Sequence, residues 1–460
     1  MTDGSRGNLA SPSGGHGTTS AIVMQAMENR VLEGIKVLDF GRFIAGPFCA
    51  ALLADFGADV IRIDRVGGSE DRFVMPVTDQ GEGAFFLQVN RNKRSMTLDV
   101  DRPEGREVVR RLLQSTDIVV ANMPPRTLES LGLDYETLSK DRPGLVYAEN
   151  SAFGHEGPYA GRPGFDILSQ GATGMVLYEN KLDRGTPTFI TTLAVADLTT
   201  GMFMAFAVVS ALLARTASGK GQRIETSLFA SGLAAQYRPL LSVEDLDRPV
   251  REGFLGALAE RRKEGLRYEE AAKLRAEYIS ARGRNNYYRI YETKDGLIAV
   301  ACLNNRQRRG MRDVLGVEDA TVEGISYDWF SEEVRQAHKT NVEALENRFR
   351  ERSTGDWIDA LDAADVPCGP VNFPEELFEH PHVEANGLMV TLDHPVLGGL
   401  RMPASPLRMD GKRPDSGRPP PYLGQHGPEV LGEIGYADDE IERLVADGVM
   451  IMRKRLVVDG

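Results

Sequence analysis

The chain is 460 residues long, 42% hydrophobic and 26% charged. That is ordinary globular usage, far from collagenous or disordered composition, with room for two or three domains of about 150 residues. With 54 Lys and Arg against 67 Asp and Glu the net charge is −13, which disfavours diffuse attraction to nucleic acid or anionic lipid, so an anionic ligand needs a local basic cluster. Cys49, Cys302 and Cys368 are far apart and form no CxxC pair, which fits a reduced, cytoplasmic setting. No apolar run reads as a membrane span and no export signal is apparent.

In chain order, residues 1–20 are Gly- and Ser-rich with too few apolar groups to offset the entropy of ordering, and read as a mobile tail. GIKVLDFG (34–41) reads as a buried strand, followed by a helix with Pro47 in its first turn and Gly57 as its left-handed stop. GADVIRIDR, SMTLDV, DIVVANM and LVYAEN are further strands. Between the second and third of these, Asp101 and Glu104 resemble a capping box opening a helix striped by Val108, Val109, Leu112 and Leu113. Strands alternating with amphipathic helices predict a mainly parallel sheet covered on both faces. From about residue 243 the chain turns into charge-dense helices (251–282), and Asp295-Gly296 then marks a hairpin of an antiparallel sheet. The aromatic run Tyr287, Tyr288 and Tyr291 reads as sheet packing more readily than as a pocket wall. A Gly- and Pro-dense stretch from Gly398 to Pro421 reads as an extended connector, and GPEVLGEIG and ADDEIERLVADG as a final helix pair.

The first strand–helix turn, FGRFIAGP, lacks the GxGxxG pyrophosphate cradle, and no P-loop, HExxH or GxSxG elbow occurs. No metal-ligand spacing is found among the histidines, so no metal is expected. What remains is carboxylate chemistry and local cations. Arg65 and Arg72 follow the second strand, and NRNKRS (90–95) supplies Arg91, Lys93 and Arg94 just before the third. In open α/β sheets ligands sit beyond the carboxyl ends of strands, and guanidinium forks suit phosphate oxygens; a solvated turn is the competing reading of 91–94.

The blocks GIKVLDFGRFIAGPFCAALLADFGADVIRIDR, NRNKRSMTLDVDRPEGREVVRRLLQSTDIVVAN, LVYAENSAFGHEGPYAGRPGFDILSQGATGM and GKGQRIETSLF resemble, in order, the class III (CaiB/BaiF-type) CoA-transferase family, which also contains α-methylacyl-CoA racemases. PCGPV (367–371) and the GPEVLGEIGY region extend a weaker likeness towards the C-terminus. The resemblance implies an α/β fold with a Rossmann-like large domain built from both chain ends, a smaller α+β domain, and an interlocked homodimer. The expected division is a disordered tail 1–27, the first part of the large CoA-binding domain at 28–225, the small domain at 226–354, and a return segment at 355–460. It implies no permanently bound cofactor, coenzyme A as substrate and product, and an acyl-CoA and a carboxylic acid as partners.

In the resemblance, the aspartate of RPGFD is the nucleophile, and here it is Asp166; read from the residues alone, it is as well a helix N-cap. Racemases of the family carry a histidine just before this aspartate, where this chain has Phe165, and a second aspartate about thirty residues on, matched by Asp197. Without the histidine, two-sided proton exchange is disfavoured, and Asp197 is either a secondary site residue or a structural cap. Gln170, Gly171 and Gly174 are placed to bring backbone amides to an oxyanion. The CoA-binding set implied is Arg65, Arg72, Arg91, Lys93, Arg94 and Asn122. The glycine run with which related transferases cover the catalytic carboxylate is reduced here to Gly283. An acyl-CoA isomerase or lyase, and a non-catalytic acyl-CoA binder, are the competing functions.

Overall fold

The computed structural model describes residues 30–74, 82–179, 181–191, 193–236, 240–278, 286–319, 322, 332–414 and 417–452. The expected tail 1–27 and Gly283 lie outside the described residues. The chain divides into two compact units, one of residues 1–183, 187–240 and 387–460, the other of 184–186 and 241–386.

In the first unit, six strands, β1 (Lys36–Asp39), β2 (Asp59–Asp64), β3 (Arg94–Thr97), β4 (Ile118–Ala121), β5 (Val146–Ser151) and β6 (Arg223–Ser227), pair in the order β3-β2-β1-β4-β5-β6, all parallel. The order reverses between β1 and β4, the position where open α/β sheets leave a crevice beyond the strand ends. Side chains alternate between the faces. Val37, Val60, Ile118, Val120, Val146 and Ala148 pack under α1 (Ala45–Asp55) and α4 (Val195–Ser218). Leu38, Ile61, Ile63, Val119 and Tyr147 pack against Val108, Val109 and Leu112 of α2 (Pro103–Leu113). The deep face of α1 is Cys49, Ala50, Leu53 and Ala54, whereas Phe48 and Leu52 are only half-buried. Helix α2 starts one residue later than the Asp101 capping box suggests. Arg102 is its N-cap, because Pro103 fits the first helical turn and needs no N–H there.

Two further helices finish this part of the chain, α3 (Asp166–Ala172) and α5 (Leu228–Ala234). At the other end of the chain, helices at Gly427–Glu433 and Asp438–Ala446 bring Val430, Leu431, Ile441 and Leu444 into the same core as Leu38 and Met96. The backbone of Val449 accepts from Asp99 N–H at 2.8 Å, and Ser95 O accepts from His426 N–H at 2.8 Å. The large domain is therefore formed from both chain ends. Of the expected connector 398–421, residues Gly398–Pro403 form a strand instead, antiparallel to Met389–His394, since Leu392 and Met402 supply enough buried apolar surface to hold a hairpin.

The second unit has an antiparallel sheet of Tyr288–Glu292, Leu297–Ala301 and Cys368–Pro370. Tyr287 and Tyr291 are core residues, packed in one cluster with Phe349, Trp357 and Leu361, while Tyr288 is exposed. The expected small-domain end at 354 is corrected to 386: Trp357, Leu361 and Val366 belong to this core, and residues 368–370 complete its sheet. Its start moves likewise from 226 to 241, because Leu228 and Ser231 of α5 are buried in the first unit.

Helix α4 is long and apolar enough to cross a membrane by length and composition, contrary to the expectation that no such segment exists. Ala196, Gly201, Met204, Ala205, Val208 and Leu212 of it are buried in the core, as in any central helix packed on a sheet. Met202, Phe206, Val209 and Leu213 line its outer side and are exposed.

Candidate active site

Asp166 opens α3 just after Phe165, which is extended (φ −132°, ψ 174°) and is the N-cap in its place. Its carboxylate does not cap its own helix. One oxygen, Oδ1, accepts from the backbone amides of Ala196 (2.8 Å) and Asp197 (3.3 Å) in the first turn of α4. The other, Oδ2, accepts from the side-chain amide of Gln170. Gln170 is fully buried and is itself fixed at both ends of its amide, accepting from Ile190 N–H at 2.8 Å and donating to Ile190 O at 3.2 Å. Its role here is to orient the carboxylate. The expectation that local backbone serves an oxyanion finds a different arrangement: Gly171 is exposed in the last turn of α3, with nothing within 4 Å of where a Cβ would stand. Helix α3 is tied to α5 by Ser169 Oγ donating to Leu228 O at 2.7 Å.

Asp197 lies in the first turn of α4, and its carboxyl is pushed up to about 7 by burial, then by the charge of Asp166, against a smaller opposing pull from the Ala45 backbone amide. Two carboxyl groups are thus placed so that one holds a proton near neutrality beside the other. The approach of α1 to this point depends on Gly201. A Cβ there would stand 2.8 Å from Ala45 O and 3.0 Å from the Phe48 ring.

The predicted cationic set separates into three fates. Arg65 is exposed past the end of β2. Asn122, after β4, clamps the turn after β1: its Oδ1 accepts from Arg42 N–H and its Nδ2 donates to Arg42 O, both at 2.7 Å. Arg72, Arg91, Lys93 and Arg94 are buried with carboxylates. Arg72 meets Asp64 at 2.7 Å, Arg91 meets Asp55 at 2.5 Å and Lys93 meets Asp39 at 2.7 Å. Arg94 is shared by Asp59, Glu429 and Glu433 at 2.5–3.1 Å. The reading of these four as phosphate ligands is corrected on that ground: each is engaged with carboxylates inside the fold, and freeing Arg72, Arg91 or Lys93 would leave a buried carboxylate uncompensated. Burial brings the Lys93 ammonium down to about 8, with Asp39 opposing.

Sequence reasoning missed Arg62, the hub of this network. It is fully buried and donates to Asp64 (3.0 Å), Asp71 (2.7 Å), Ser69 (3.3 Å) and Asn90 (3.2 Å). Burial works against both charges, yet the pairing wins: Arg62 is raised and Asp64 is held well below the usual carboxylate range by Arg62 and Arg72. Alternating Arg62 and Asp64 inside a strand was the available signal.

Glu149, His155 and Glu225 form the grouping with metal-ligand geometry among the described residues. Arg223 stands in it, 2.5 Å from Glu149 and 3.0 Å from Glu225, so a guanidinium already supplies the positive charge.

The first unit thus combines a doubly wound parallel sheet with an aspartate at a helix start whose two carboxylate oxygens are both held by amide donors. The family model for CoA-transferase family III matches residues 32–427, and this chain belongs to that family and is an enzyme of the transferase class. It is 30% identical over 421 residues to a succinyl-CoA:glutarate CoA-transferase of Mus musculus, covering 91% of this chain and 90% of that one. It is 32% identical over 429 residues to a succinate–glutarate CoA-transferase of Agrobacterium fabrum, covering 89% and 98%. The solved structure of a CaiB/BaiF family protein from Brucella suis superposes with a TM-score of 0.67 at 28% identity, over 88% of this chain and all of that one.

Proposed function

We propose that this enzyme moves CoA from an acyl-CoA thioester to a free carboxylic acid through a covalent intermediate on Asp166. The observation that carries the reading is the setting of that carboxylate: half-buried, with both oxygens held by neutral amide donors and no cation paired to it among the described residues. Such a carboxylate keeps its nucleophilicity and its aim. Its oxygen attacks the thioester carbonyl, the C–S bond breaks, and an aspartyl anhydride and CoA thiolate result. The thiolate attacks the aspartyl carbonyl and releases the donor acid, leaving an aspartyl–CoA thioester. The acceptor carboxylate repeats both steps in reverse order, taking CoA and restoring Asp166. The amides of Ala196, Asp197 and Gln170 that hold the carboxylate also face the oxyanions formed when its carbonyl is attacked.

The donor and acceptor we propose are dicarboxylic, on the strength of relatives named for succinyl-CoA and glutarate. Arg65 is the proposed contact for a CoA phosphate, being the exposed cation past the end of a central strand. CoA enters as substrate, and no resident cofactor is invoked. The outer stripe of α4, Met202, Phe206, Val209 and Leu213, supports assembly as an interlocked homodimer that covers it. Three unpaired cysteines are in keeping with a cytoplasmic location. Isomerisation without an acceptor is disfavoured because Phe165 offers no second acid/base group. The test is turnover of succinyl-CoA with glutarate by the Asp166→Ala variant: loss of transfer with an unchanged melting profile supports the reading, and full turnover overturns it.

A further inference from the structure

Five non-glycine residues among those described have positive φ. Three of them are Asn92, Asp365 and Asp410, types whose short polar side chains tolerate the left-handed region. Phe43, at φ 59°, is the aromatic one, and a bulky residue holds that conformation only where its surroundings impose it. Here they do. The Phe43 N–H donates to Asp71 Oδ2 at 3.2 Å, and Asp71 is locked in turn by Arg62 at 2.7 Å and Ser69 at 2.5 Å. The buried ionic network under the sheet end thus terminates on the backbone of one strained phenylalanine.

What the strain achieves is a ring contact. The Phe43 ring meets the edge of Phe165 with centroids 5.0 Å apart and planes at 79°. Phe165 is the residue before Asp166 and remains 54% exposed. Two residues after Phe43, the Ala45 amide bears on Asp197, whose own N–H donates to Asp166. The aromatic pair is therefore tied to the nucleophile from both sides, and it brings no polar group to the site.

We propose that Phe43 and Phe165 form an aromatic wall that keeps water from the loaded Asp166 carbonyl, so that the intermediate is passed to an acceptor instead of being hydrolysed. This rests on the covalent aspartyl reading above. The step prevented is attack of water on the aspartyl–CoA thioester: the C–S bond breaks, and the Asp166 carboxylate, free CoA thiol and a proton are formed.

The experiment loads the enzyme with succinyl-CoA in the absence of acceptor and follows the mass adduct on the Asp166 peptide together with free CoA release. Glutarate is then added and the ratio of transfer to hydrolysis is measured. Phe43→Gly suits the left-handed backbone and keeps the fold, and Phe165→Ala removes the other half of the wall. Each is expected to load Asp166 but to lose its adduct to water about tenfold faster or more, with the transfer ratio falling to match. Phe165→Tyr is expected to restore the wild-type ratio. An adduct that forms in wild type and decays no faster in either variant than in wild type overturns the wall alone. No adduct in wild type overturns the aspartyl reading and the wall with it.

Discussion

Replacing Asp197 by Asn tests the electrostatics of the paired carboxyls through stability. The Asp197 carboxyl moves from 3.8 in a model peptide to about 7 in the folded chain, by burial first and the Asp166 charge second. Because the folded value is the higher, the folded state holds the proton while the unfolded chain releases it. Stability is therefore full below about pH 4 and is lost progressively as pH rises towards 7. About three pH units at about 1.4 kcal/mol each set a ceiling of about 4 kcal/mol on the loss. Asn cannot titrate, so Asp197→Asn lacks this slope and gains on wild type as pH rises. Asp166→Asn removes the second cause and ends the window below pH 7. Urea unfolding at half-unit steps from pH 4 to 7.5 reads all three proteins. Wild-type and Asp197→Asn stabilities that run parallel across the range would refute the reasoning.

Gln170→Ala frees the Asp166 carboxylate to rotate, and kcat is expected to fall about 10- to 100-fold with KM little changed, measured by steady-state transfer. Arg65→Ala is expected to raise the KM for acyl-CoA severalfold and leave the melting temperature alone. Arg94→Ala, by contrast, removes the shared partner of Asp59, Glu429 and Glu433, which are 36–57% exposed and stay solvated, and costs about 1 kcal/mol of stability in denaturant titration. Gly201→Ala forces a methyl to 2.8 Å from Ala45 O, costing about 1–3 kcal/mol in the same assay and lowering kcat by displacing Ala45 from Asp197.

The parallel sheet was legible because each strand is a short apolar run beside a helix with caps or stops, which is local information. Asp166 as a candidate nucleophile is visible in the sequence only through the family block, since alone it reads as an N-cap. The cationic set was not legible. NRNKRS looks like a free basic cluster because the carboxylates that neutralise it, Asp39, Asp55 and Asp59, lie 35 to 54 residues earlier, within apolar strands and a helix. Folding brings a strand's acids to the next strand's bases, and spacing along the chain does not report it. The small-domain boundary failed for a related reason: Thr354–Asp362 is an amphipathic helix wherever it packs, and only Trp357 and Leu361 in contact with Phe349 assign it to the second unit. The strain at Phe43 had no sequence signal, as FGRFIAGP contains glycines that could have taken the turn.

The central claim is that Asp166 becomes covalently loaded, and the direct measurement is the mass of its peptide after brief incubation with succinyl-CoA and digestion at low pH. The account predicts an added mass of CoA less water on the peptide carrying Asp166, removed when glutarate is supplied and absent in Asp166→Ala. Transfer of CoA to glutarate at full rate with that peptide never modified, or with the adduct on another residue, would contradict it.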